Sequence, residues 1–141
     1  MREGVQSFFA ELGEAACLAL CICELGKPGL SEAEAVSLIL QGIEKGFIDY
    51  RWQDRQYENN LFVSNRDAFM NLVTGQDGWK SRVEPPSYTL KAGELAVSCW
   101  EWRDSGTLRR HFRLADWDPI LDSQTVRHGA IASLRVFRKN P

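Results

Sequence analysis

Between positions 15 and 25 the chain runs Ala-Ala-Cys-Leu-Ala-Leu-Cys-Ile-Cys-Glu-Leu, with a single charged residue in the stretch. A helix that is apolar on every side is one that the rest of its domain wraps, so a buried first helix is predicted over 14–25. Gly26-Lys27-Pro28-Gly29 ends it, with glycine at the C-terminal cap and proline beyond. Ser31-Glu32-Ala33-Glu34 is a capping box, in which the serine oxygen takes a free N–H and Glu34 answers the N–H of the cap residue. It opens a second helix whose apolar positions Ala35, Leu38, Ile39 and Ile43 leave one face wet, and which ends near Gly46. A third helix starts around Asn65-Arg66-Asp67, capped by Asn65 or Ser64, and carries Phe69, Met70, Leu72 and Val73 to Gly75.

The pattern then changes period. Residues 78–88 include Pro85-Pro86 and must be extended or looped, because the second proline forbids a helical conformation at the first. The run 95–102 is rich in strand formers, Arg103 to Thr107 supply a turn, and 108–114 return as the second arm of an antiparallel hairpin. A last strand, 130–138, follows a His128-Gly129 turn. Helices first and an antiparallel sheet afterwards predict an α+β domain whose sheet packs on the buried first helix.

Composition narrows the function classes. With 141 residues, 44% hydrophobic and 26% charged, and no repeat or low-complexity tract, the chain reads as one domain over 1–141. A formal charge of −2 excludes the general basic bias of a protein that lives on nucleic acid. The longest apolar run is too short to cross a bilayer, no signal-peptide pattern opens the chain, and a cytoplasmic protein is expected. Cysteines 17, 21, 23 and 99 read as reduced thiols. Without a Cys-x-x-Cys pair, and with His111 and His128 the two histidines, the ligand arithmetic of a zinc site fails, so no metal or organic cofactor is expected.

Three residues are candidates for chemistry, each with a plainer alternative. Cys17, in the first turn of its helix, would have its thiolate stabilised by free N–H groups and the positive end of the dipole; otherwise it is a small core residue, as Cys21 and Cys23 are read. His111 could hold and return the thiol's proton. Strand alternation groups it with Arg109 and Arg113, opposite Phe112 and Leu114, so with Phe112 in the core His111 faces water or a cleft. The two guanidinium groups would disfavour its charged form. A turn around Ala115-Asp116-Trp117 would fold Asp118 back to orient the ring, with Asp116 in reserve, although Asp-Trp-Asp-Pro is also ordinary turn chemistry. Of the tryptophans at 52, 79, 100, 102 and 117, Trp100 and Trp102 share a strand face, either as half-buried sheet surface or as an aromatic groove for sugar or peptide. Arg103, Arg109, Arg110 and Arg113 cluster on the hairpin, as a solvated face or a reader of phosphate or carboxylate.

With these residues the chain resembles the papain-like cysteine peptidase superfamily, closest to its small bacterial C39-like and NlpC/P60-like branches. Glu14-Ala15-Ala16-Cys17-Leu18-Ala19-Leu20 is similar to the nucleophile segment, and His111-Phe112-Arg113-Leu114 and Trp117-Asp118-Pro119 are similar to the histidine strand and the Asp-Pro strand. The resemblance implies a thiol hydrolase acting on a peptide or cell-wall amide. Cys17 would attack, His111 would shuttle the proton, Asp118 would orient His111, and Gln6 or a backbone N–H would stabilise the oxyanion. The Asp-Cys-Gly and Cys-Gly-Ser-Cys strings are absent, Gln6 lies farther ahead than the family's glutamine, and a shifted register puts Glu14 at the cysteine position, which would make the chain an inactive descendant. Residues 116–137 also look similar to a domain family of unknown function. The alternative is a non-catalytic module that holds a peptide or a protein partner in a cleft near Trp100, Trp102 and Arg113. Nucleic-acid binding through the arginine hairpin ranks last, because the overall charge is wrong for it.

Overall fold

A computed structural model of the chain describes residues 16–50, 61–119 and 125–141. Helix α1 spans Cys17–Gly26 and α2 spans Glu32–Glu44. Strands β1 (Ile48–Tyr50) and β2 (Leu61–Val63) form a two-stranded antiparallel sheet with Ile48 opposite Val63. Helix α3 (Arg66–Thr74) follows, then β3 (Trp79–Glu84), β4 (Glu94–Asp104), β5 (Thr107–Arg113), the single turn α4 (Thr125–His128) and β6 (Ala130–Lys139). The second sheet is antiparallel throughout, in the order β3-β6-β4-β5. The N-terminal helices pack on this C-terminal sheet, so the domain is α+β.

Local chemistry explains the helix boundaries. Ser31 accepts the Glu34 N–H at 3.2 Å, and its hydroxyl donates to Glu34 Oε1 at 3.0 Å, so the glutamate answers the hydroxyl of the cap residue. Asn65 Oδ1 accepts the Ala68 N–H at 3.0 Å and opens α3, which Gly75 closes at φ +68°. The stop after α1 differs from expectation. Gly26 is the last helical residue, Lys27 caps it, and the left-handed glycine is Gly29, at φ +83°. Gly26 is glycine for lack of room, since a Cβ there would lie 2.8 Å from the Met70 sulfur. The expected helix start at Glu14 lies outside the described residues. His128, read as a turn residue, closes α4 and is exposed.

The core joins Ile22 and Cys21 of α1, Ile39 of α2, Phe69 and Met70 of α3, and Val97 and Phe137 of the sheet. Cross-strand partners share a face. One face of the sheet therefore carries Val97, Cys99, Phe112, Arg135 and Phe137, and the other carries Ala96, Ser98, Trp100, His111 and Arg113. The first meets the helices. Among the described residues, no helix is long and apolar enough to cross a membrane.

Candidate functional site

Cys17 is the first residue of α1, and Ala16, which precedes it, contributes no side-chain cap. The free N–H groups of this helix end, those of Cys17 and Leu18 among them, favour the Cys17 thiolate. A third N–H, that of Phe112, reaches it from β5. β5 is an edge strand, and amides two residues apart point the same way. Leu114, two residues on from Phe112, sends its N–H to Trp117 O at 2.8 Å, away from β4. The N-terminal end of α1 thus sits against the free edge of β5.

The bond from Leu114 to Trp117 closes the turn that carries Asp118 back along β5. His111 Nε2 lies 2.7 Å from Asp118 Oδ1, with 5% of the histidine side chain and 16% of the aspartate side chain exposed. A carboxylate only accepts hydrogen bonds, so the proton shared by this pair sits on the Nε2 side. The turn brings Asp118 beside His111, as the sequence pattern places it, and the reserve, Asp116, is exposed. The expectation for His111 is corrected: it is the buried residue of its strand, at 4% exposure, while Phe112 is half-buried. Alternation assigns it to the face away from the helices, but the returning segment 114–118 covers it there. Its guanidinium neighbours are also engaged elsewhere. Arg109 lies 3.8 Å from Asp104, and Arg113 Nε donates to Leu114 O at 3.2 Å.

Cys17 does not join this pair by a hydrogen bond among the described residues. Burial pushes its thiol above the ordinary value of 9.0, against the three N–H groups that favour the thiolate. Burial also raises Cys21 well above that value, and the nearby Cys17 and Asp118 add to the effect. Burial takes Cys23 to about 12. The thiols of α1 are buried, and burial disfavours their thiolates. Gln6 and Glu14 lie outside the described residues.

Trp100 and Arg113 meet in a groove of about 560 Å³ lined with Leu90, Ser98, Ile131 and Leu134. Arg113 Cζ stands 5.8 Å from the centroid of the Trp100 ring, a cation–π arrangement. Trp100 Nε1 donates to Ser98 Oγ at 2.9 Å, and that hydroxyl donates to Arg113 O at 2.9 Å, which fixes the indole. Leu90 is 44% exposed and Ile131 38%, so the rim is apolar and open. Trp102 does not line the groove, because it lies beyond Trp100 toward the turn of the hairpin. Arg103, Arg109 and Arg110 are exposed, as a solvated face would be, whereas Arg113 is half-buried. Leu90 and Leu134 carried no signal in the sequence beyond strand and loop composition. Trp117 goes elsewhere, to a cavity of about 190 Å³ between α1 and α2 with Leu20, Leu30 and Pro119. Among the described residues, no three His, Cys, Asp or Glu side chains converge as a metal site.

No family model, curated protein or solved structure matches this chain.

Proposed function

We propose that this chain is a papain-like domain that binds an apolar peptide ending in, or carrying, a carboxylate, and that Cys17 serves as a core residue. The observation that carries this reading is Arg113 held over Trp100 in an open apolar groove. The indole and the leucines supply contact area for side chains of the peptide. Among the described residues the guanidinium donates through Nε to Leu114 O, and its terminal N–H groups suit an acid. The neutral, enclosed thiol of Cys17 supports a binding role over a hydrolytic one.

Titration of intrinsic tryptophan fluorescence with N-acetyl-Leu-Phe-Leu, as free acid and as C-terminal amide, tests the reading. The free acid should bind about tenfold tighter than the amide, with the difference lost in Arg113→Gln and the fluorescence response lost in Trp100→Phe. Equal binding of acid and amide, or no saturable response to either, contradicts it.

The second reading is a thiol hydrolase, and the buried His111–Asp118 pair is the observation that favours it. Asp118 would hold the ring, the imidazole would take the Cys17 proton, the sulfur would attack a peptide or cell-wall amide carbonyl with Gln6 or a backbone N–H on the oxyanion, the imidazolium would return the proton to the departing amine as the C–N bond breaks, and water would then free the acid from the thioester. That chemistry needs a thiolate where burial favours the thiol.

A further inference from the structure

The layout of the Trp100–Arg113 groove along β4 bears on which carboxylate it takes. Its floor is made by Ala96, Ser98 and Trp100, alternate residues of one strand. Arg113 is the register partner of Ser98 on one side, and Leu134 is its partner on the other. The charge therefore enters at the middle position of the floor. Each end carries an exposed apolar residue. Ile131 pairs with Trp100 at one end. Leu90 belongs to the loop that Glu94 ties to the start of β4 through the Lys91 N–H, which places it at the Ala96 end.

The polar groups of the floor satisfy one another, since Trp100 Nε1 donates to Ser98 Oγ and that hydroxyl donates to Arg113 O. β4 is paired on both sides, so its backbone hydrogen bonds run within the sheet and not toward the groove. A peptide backbone pressed onto this floor would bury amides without partners. An extended peptide avoids that by keeping its backbone on the solvent side and reaching down with alternate side chains, whose spacing matches that of Ala96, Ser98 and Trp100. The guanidinium sits low, with Nε on Leu114 O and Cζ 5.8 Å from the indole centroid. A carboxylate on a side chain spans that depth, whereas a terminal carboxylate stays with the backbone at the rim. Resting on the peptide-binding reading above, we infer that the groove takes an internal Glu or Asp of an extended segment with the pattern apolar-x-acid-x-apolar. The acid meets Arg113, and the apolar side chains two residues before and after it cover the Leu90 and Ile131 ends.

The test uses pentapeptides blocked at both ends, titrated into the whole protein and read from tryptophan fluorescence. N-acetyl-Leu-Ser-Glu-Ser-Leu-amide should bind about tenfold tighter than the same peptide with Gln at the centre. It should also bind about tenfold tighter than N-acetyl-Leu-Glu-Ser-Ser-Leu-amide, in which the acid faces solvent while the leucines point down. Arg113→Gln should erase both differences; if that variant fails to fold, the comparison of the three peptides on wild type decides. Equal binding of the two Glu peptides, both tighter than the Gln peptide, overturns the spacing and leaves an acid read without regard to position. Equal binding of all three, with N-acetyl-Leu-Phe-Leu still preferred as free acid over amide, overturns the internal acid and leaves a chain terminus as the ligand. Equal binding of all three with no preference for that free acid, or no saturable response to any of them, overturns this inference together with the reading it rests on.

Discussion

Glu94 shows how a single residue holds a loop. Its side chain is 1% exposed, yet both oxygens are satisfied: Oε1 by the Tyr88 hydroxyl at 2.6 Å and the Lys91 N–H at 2.8 Å, Oε2 by Arg82 Nη2 at 2.6 Å. These bonds, the Tyr88 and Lys91 ones foremost, hold its carboxyl down to about 2 from the usual 4.5. A carboxylate with a depressed pKa contributes stability that is complete above its unfolded value and disappears as pH falls through the folded one. Wild type should therefore exceed Glu94→Gln in urea midpoint by a constant margin above about pH 5, and the margin should narrow as pH drops toward 2. A margin that does not change with acid would contradict this. None of it was visible in the sequence, where Tyr88 and Glu94 both follow Pro85-Pro86, a pair that marks only a loop. The same limit applies to Gly26, which reads as a helix stop but is glycine because Met70 of another helix crowds it.

Elements set by local chemistry were legible. The capping serine and asparagine, the glycine ends near 46 and 75 and the turn at Ser105-Gly106 act within a few residues, and each occurs where the pattern predicted it. Losing the Asn65 cap should cost about 1 kcal/mol, so Asn65→Ala should unfold at lower denaturant by that amount, while Asn65→Ser should restore most of the loss. Strands β1 and β2 were missed because three residues each are too few to show alternation, and their pairing joins segments far apart in sequence. β3 was read only as extended, since it becomes a strand by pairing with the distant β6. β5 was predicted in place, but the burial of its two ends differs. Thr107 to Arg110 are exposed, whereas His111 is covered by the chain that folds back from Trp117. Strand alternation gives the face of a residue and says nothing about what covers that face.

At the scale of the molecule, the sheet separates two environments. One face receives the helices; the other carries the Trp100–Arg113 groove, with His111 opposite Trp100 in the register. Of the site read from sequence, the His111–Asp118 contact and the meeting of Trp100 with Arg113 were legible, because a tight turn and a hairpin register fix them locally. The state of Cys17 was not, because it depends on how deeply α1 sinks against β5. The most direct measurement is the rate of Cys17 alkylation by iodoacetamide against pH, followed by peptide mass spectrometry in wild type and His111→Ala. A buried neutral thiol predicts slow labelling at neutral pH, a rate still rising at pH 9, and no dependence on His111. Fast labelling near pH 6 that disappears in His111→Ala would instead show a thiolate paired with the histidine and contradict the binding account.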